Sequence, residues 1–382
     1  MRLIEIDIMV KTNMKTVCEF NKCTGCMACI DICPKHAVEI KDDLQTYKAV
    51  IDETLCIECN ACYQVCQNHS PAFFKQPLGW KQGWVQNELI REQASSGGLA
   101  TEIARAFVAQ GGIAFSCVFE KGTFGFSSAD KEEDVKKFAG SKYIKSNPAG
   151  IYKQILSQLK SGRKVLFLGL PCQVAAVKNY VKKQEFLDLL YTVDLICHGT
   201  PSPKILELFL NQHGKSQADY SDIQFRKKGS FQLWLDGASV TPSGVRDPYL
   251  ISFLNMLTYT ENCYSCPYAC RERVSDMTLG DSWGSELSVE EQKKGISLVT
   301  WQTDKGMELL SNGGICLMDV DVEKAVSNNQ QLNHPADRPQ QREQFFKEIE
   351  KGIPFNRAVA KCYPKQSARQ NIKAVLKRMK LM

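Results

Sequence analysis

The chain has 382 residues, 43% of them hydrophobic and 24% charged, which is ordinary globular material with length for two or three domains. Seventeen cysteines are out of proportion. A secreted disulfide scaffold is shorter and carries a signal peptide, and the opening stretch, with Glu5 and Asp7 inside its apolar patch, has no cleavage pattern. No run reaches the ~18 apolar residues of a membrane span, so a cytoplasmic protein with metal-ligating cysteines is expected.

The net charge of +6 is uneven: residues 351–382 hold nine of the 48 Lys and Arg and none of the 42 Asp and Glu, leaving 39 basic against 42 acidic residues elsewhere. In chain order, the first eighty residues contain nine cysteines and an internal repeat, CTGCMACIDIC from Cys23 recurring as CIECNACYQVC from Cys56. HAVEIKDD and YKAVIDE between them read as two short strands around a turn. SSGGLATEIARAFVAQGG then reads as a loop and an amphipathic helix with Leu99, Ile103 and Phe107 on one face. GIAFSCVF reads as a strand, NPAGIYKQILSQLKSGRK as a helix, KVLFLG as a buried strand broken before Cys172, and LYTVDLICHG as a strand broken at Gly199. PKILELFLNQHG is a helix closed by Gly214. Residues 220–300 are strand-rich. The fold class is α/β (α+β): a bacterial-ferredoxin-like dicluster domain, then a mixed-sheet body with helices on its faces. Boundaries fall near 80 and 190: 1–80, 81–190, 191–345 and a basic tail, 346–382.

The first cysteine run fits C-x2-C-x2-C-x3-C-P in full, the run that holds 4Fe–4S clusters. Three sulfurs of one loop wrap one cube and the fourth reaches the other. Cys23, Cys26, Cys29 and Cys66 therefore pair on one cluster, and Cys56, Cys59, Cys62 and Cys33 on the other. The second run departs from the pattern at Gln67, where the proline would sit, with no ligand lost. Zinc normally takes four cysteines in two knuckles rather than eight in two runs. Such a domain passes single electrons, so a chemical centre is expected further along.

Cys172 and Cys197 both follow apolar strands, where doubly wound sheets gather their ligand sites. With the Cys263–Cys266 knuckle they make four ligands for a third cluster. Cys270 is a rival for one position, and burial as small apolar side chains is the alternative for Cys172 and Cys197.

SSGGLATEIA, GSKYIKS, GLPCQVAAV, DLICHGTPSP and CYSCPYAC…DMTLGDSWG, in this order, resemble the beta-subunit family of coenzyme F420 hydrogenases and dehydrogenases in the form with an N-terminal dicluster domain. The resemblance implies FAD, a further 4Fe–4S cluster on Cys172, Cys197, Cys263 and Cys266, and exchange between single electrons and hydride. A flavin pyrophosphate needs free amides and a helix N-terminus. Ser95, Ser96, Gly97 and Gly98 supply them, with Ser141, Lys142 and Tyr143 for phosphate and ring. The alternatives are an unliganded helix cap, a solvated lysine and a core tyrosine. His198 is placed to donate to flavin or substrate, with a structural role as its alternative. No G-x-G-x-x-G follows a strand, so an NAD site is not expected.

The expected function is that of an iron–sulfur flavoprotein, from an anaerobic setting, moving electrons between a ferredoxin or other redox protein and a small-molecule hydride donor or acceptor, coenzyme F420 or another. The alternatives are an electron-transfer subunit without its own substrate and a flavin-free sensor or scaffold. The tail, with Ile372, Leu376 and Met379 at helical spacing among cations, suits an acidic partner or peripheral membrane contact, or simply rests one face on the body. No nucleic-acid partner is expected.

Overall fold

The computed structural model describes residues 14–228, 230–311 and 314–379; the apolar patch around Glu5 and Asp7 lies outside them. In the first domain, β1 (Val38–Asp42) and β2 (Tyr47–Ile51) pair antiparallel with Val38 opposite Ile51. Short helices Ala28–Ile32 and Ala61–Val65 follow the two cysteine loops. The sequence repeat is also a repeat of backbone: Gly25 and Met27 take left-handed φ, and so do Glu58 and Asn60, each thirty-three residues later. These turns curl each loop so that its sulfurs share one side.

The body is a single eight-stranded sheet with a small satellite. The remaining strands are β3 (Gly79–Val85), β4 (Ile113–Glu120), β5 (Thr123–Ala129), β6 (Val165–Gly169), β7 (Leu190–Leu195), β8 (Ile223–Lys227), β9 (Ser230–Leu235), β10 (Ala238–Ser239), β11 (Met277–Asp281), β12 (Ser297–Trp301) and β13 (Ile315–Met318). The large sheet runs β13-β3-β12-β11-β7-β6-β4-β5, and β10-β9-β8 form a separate antiparallel sheet. Strands from both sides of residue 190 thus share the large sheet, and β3 is inserted between two late strands.

Four neighbours, β4, β6, β7 and β11, are parallel. Their sequences show why. β6 is buried along its whole length, as a central parallel strand covered on both faces must be. Helices Ile151–Lys160 and Pro171–Val181 cover Phe115 and Phe167 on one face, while helix Leu99–Ala109 covers Leu166, Tyr191 and Val193 on the other. Phe115 and Phe167 are fully buried, so truncating either costs about 3–5 kcal/mol. Because these strands are parallel, their carboxyl ends lie along one edge.

The first domain docks on the helical face nearby, and Met27, Ala28 and Val65 share a core with Tyr152, Val174 and Tyr180. Asp31 accepts from the amides of Gly150 (2.6 Å) and Tyr152 (3.2 Å), stabilising the start of helix Ile151–Lys160. The expected tail divides: Phe346, Phe355 and Val359 are buried in the core, and beyond them the basic remainder is the helix Pro364–Arg378. Its Gln366, Gln370 and Lys373 bond to the body, and Ile372, Val375 and Met379 face solvent.

Candidate iron–sulfur and redox site

Three cavities are lined by cysteines, and the groupings follow the two repeats and the strand ends. Cys33, Cys56, Cys59 and Cys62 line an outer one, with Cys59 exposed. Cys23, Cys26, Cys29 and Cys66 line an inner one, joined by a fifth, Cys18, that the spacing argument passed over. Cys172, Cys197, Cys263 and Cys266 line the third, together with Lys145 and His198. The inner and third cavities share Thr24, Gln67 and Asn68 as a common wall. Cys270 is not part of it and donates instead to the carbonyls of Pro267 and Glu272. Among the described residues no group of three or more His, Cys, Asp or Glu forms a site for a single metal ion. A cube asks for something different, because each thiolate binds its own iron corner.

The donor chemistry suits such a group. Amides of Ala37 and Glu58 point at the sulfurs of Cys33 (3.3 Å) and Cys56 (3.4 Å). The side-chain amides of Asn68 and Asn262 reach Cys66 and Cys263, each at 3.7 Å. N–H···S bonds of this kind hold ligating thiolates and tune cluster potentials. Burial pushes the thiols of Cys26 and Cys266 up to about 11 and that of Cys197 up to about 12. A buried cation that takes the thiolate reverses this. The neighbouring Cys18 thiol is the main influence holding Cys66 down at about 6.

The third cavity is assembled from distant segments. Helix Pro171–Val181 begins directly after β6, so Cys172 sits in its first turn, where the dipole favours a thiolate. Beyond β7 the chain passes Cys197 and turns at Gly199, whose φ of +131° and closeness to the Tyr259 ring leave no room for a Cβ. Thr260 N donates to Thr200 O at 3.0 Å, which brings the segment carrying Cys263 beside Cys197. Arg273, fully buried, pairs with Asp194 at 3.1 Å and donates to the carbonyls of Tyr268, Cys270 and Leu195. It ties the loop after Cys266 to the end of β7. Glu261, next to the knuckle, is held by buried Arg342 at 3.1 Å.

Gln67 is the other joint. It is buried, and its side-chain amide donates to Thr24 Oγ1 (3.0 Å) and to the Cys172 carbonyl (2.9 Å), while Tyr268 O–H donates to its Oε1. The residue that broke the expected cysteine pattern is therefore the one that joins the two domains.

The seven residues assigned to flavin lie together only in part. Ser95 Oγ accepts from Ser141 N at 2.8 Å, so the two loops meet. Ser96 donates to Ile296 O, and Gly97 is wedged between Gly83 O and Ser297. Gly98 is the left-handed cap of helix Leu99–Ala109. Lys142 Nζ donates to the carbonyls of Phe138 and Ala139, both at 2.8 Å, and burial lowers its pKa. Tyr143 stacks on Phe253, with centroids 4.4 Å apart. Beside it lies a group that sequence reasoning missed: Arg226 and Asp281 paired through both oxygens (2.6 and 3.1 Å), with Phe231 and Trp283 over the guanidinium. Solvent reaches His198, yet the protein around it holds its pKa below the ordinary value, with Asp281 opposing and Arg226 adding. The only sequence signal for Asp281 and Trp283 was their place in DMTLGDSWG.

A dicluster domain docked on a mixed α/β body, with cysteines gathered at the strand ends, defines an iron–sulfur electron-transfer protein of oxidoreductase type. Residues 22–69 match the 4Fe-4S dicluster domain, and residues 162–317 match the C terminus of the coenzyme F420 hydrogenase/dehydrogenase beta subunit. By these matches the chain joins a 4Fe-4S dicluster domain to a C-terminal domain of the coenzyme F420 hydrogenase/dehydrogenase beta-subunit type. Among solved structures it is similar to a chain of the F420-reducing [NiFe] hydrogenase complex from Methanosarcina barkeri. The two are 20% identical, with 69% of this chain and 97% of that chain covered and a TM-score of 0.47. No curated protein matches the sequence. Among the described residues no helix is long and apolar enough to cross a membrane.

Proposed function

We propose that the chain is a cytoplasmic iron–sulfur flavoprotein of anaerobic metabolism that moves electrons between a ferredoxin-type carrier and a small organic hydride donor or acceptor, coenzyme F420 or another. The supporting observation is that Cys172, Cys197, Cys263 and Cys266 line one cavity whose wall is shared with the inner dicluster cavity. In this reading these four cysteines hold a third 4Fe–4S cluster. The loops 95–98 and 141–143 hold FAD through Ser95, Ser96, Gly97, Gly98, Ser141, Lys142 and Tyr143. When bound, the clusters supply one-electron transfer and the flavin the exchange of single electrons for hydride.

The chain's own residues arrange this. The segment from Ser141 to Lys145 runs from the Ser95 loop to Thr24. It connects the flavin loops to the cluster wall. In this reading His198 and the neighbouring Arg226–Asp281 pair serve the substrate that exchanges hydride with the flavin. In this reading a redox partner docks beside Cys59, which is exposed at the outer cavity.

Iron and flavin content of anaerobically purified protein tests this: about twelve irons and one FAD per chain are expected. Eight irons remove the third cluster, and absence of flavin after reconstitution removes the enzyme. The family match to a beta subunit favours one second reading, a subunit that hands electrons to a catalytic partner. Turnover of a small molecule by the isolated chain refutes that reading.

A further inference from the structure

Lys145 lies in the GSKYIKS segment but was not among the residues its sequence singled out. It is buried, 5% exposed. Its Nζ donates to the Thr24 carbonyl at 2.8 Å and sits 5.2 Å from the Tyr47 ring centroid. It has no carboxylate partner among the described residues. Burying an ammonium without a counter-charge is costly, by several kcal/mol, so the position calls for an anion that side chains do not supply.

The neighbours say which anion. Thr24 lies between Cys23 and Cys26, and Lys145 also lines the cavity of Cys172 and Cys197. The space is made for it. A Cβ on Gly25 would meet Lys145 Cδ at 2.9 Å and the Tyr47 ring at 2.6 Å, while the equivalent place in the second repeat is the exposed Glu58. Lys145 N donates to Pro201 O at 2.9 Å, and Ser146 accepts from Gln173 at 3.1 Å, so the backbone is fixed on both sides.

We infer that Lys145 is a fixed positive charge shared by the inner and third cysteine cavities, and that it raises the reduction potential of the clusters bound in both. A cube on four thiolates is anionic when oxidised and more so when reduced, so a buried cation beside it favours the reduced form. Placed between two such sites, it also offsets their mutual repulsion when one gains an electron. The part concerning the third cavity rests on the third-cluster reading; the part concerning the inner cavity does not.

The test uses the full chain, anaerobically reconstituted, as wild type, Lys145→Met, Lys145→Gln and Lys145→Arg, with iron counted and potentials read by EPR-monitored redox titration. The arginine variant keeps wild-type potentials. The two neutral variants keep their iron but give more negative potentials, with the reduced-to-oxidised ratio at fixed poise falling about tenfold, or about 59 mV for one electron. Full iron with unchanged potentials in both neutral variants overturns the proposal. A drop in the methionine variant alone assigns the effect to the hydrogen bond and also overturns it. If the neutral variants lose the inner cluster, retention in Lys145→Arg supports the charge, and loss there too overturns it in favour of shape. A wild-type count of eight irons refutes the third-cluster reading alone, because the inner potential still reports on Lys145.

Discussion

The side-chain amide of Gln67 donates to the carbonyl of Cys172 at 2.9 Å, so the residue next to an inner-cavity cysteine is bonded directly to a third-cavity one. Replacing Gln67 by Leu leaves the buried Tyr268 hydroxyl without its acceptor, at about 1–3 kcal/mol. The expected outcome is unchanged iron content with slower passage of electrons from the dicluster domain to the body, measured by anaerobic stopped flow. Transfer at the wild-type rate would sink this role.

Cys172→Ala is expected to remove about four irons per chain and leave the dicluster signals intact, as read by iron assay and EPR. Iron at the wild-type level means that Cys172 is packing.

Arg273→Met leaves Asp194 buried without its cation, and one Asp194 oxygen already has no hydrogen-bond partner. The expected loss is about 3–5 kcal/mol in urea unfolding, with iron lost from the third cavity first because the loop after Cys266 is no longer tied to β7. Asp194→Asn with Arg273 intact should cost less in the same measurement.

Asp247 caps helix Pro248–Leu254, and burial raises its pKa to about 6 against the backbone bonds that lower it. The sign follows from proton counting. Between the ordinary carboxylate pKa and about 6 the folded protein holds a proton that the unfolded chain has released. Stability from this group is therefore full below that window and lost as pH rises through it, by about 3 kcal/mol. Asp247→Asn should flatten this slope; unfolding midpoints at pH 5 and 6.5 check it, and an unchanged slope would rule Asp247 out.

The C-terminal helix rests Gln366, Gln370 and Lys373 on the body and presents Ile372, Val375 and Met379 outward among cations. Deleting residues 366–382 is expected to leave the clusters in place and to slow reduction by an acidic ferredoxin, with weaker salt dependence. Wild-type rates would show that the face does not dock this partner.

Much of this was legible because the signals were local. Three cysteines at fixed spacing wrap a cube and the fourth reaches its neighbour whatever surrounds them, and the all-apolar run of β6 announced a buried strand. Gln67 looked like the loss of a helix-ending proline because its three partners come from Thr24, Cys172 and Tyr268, far apart in sequence. Lys145 read as one more lysine, since nothing local shows that Gly25 makes room for it. Cys18 stands outside the repeat, and only the folding of β2 against it brings its sulfur to Cys23 and Cys66. Arg226 and Asp281 lie on different sheets, so no spacing rule joins them.

The placement of β3 bears on how the protein is made. That strand leaves the dicluster domain and pairs with β12 and β13, the last two strands of the chain. During synthesis the N-terminal domain emerges first and folds as a unit, while β3 waits for more than two hundred residues before either partner exists. The third cavity likewise needs the knuckle at Cys263 and Cys266. The cysteines of the dicluster domain are thus all in place before β3 is made, whereas the third cavity cannot close until the knuckle at Cys263 and Cys266 has followed.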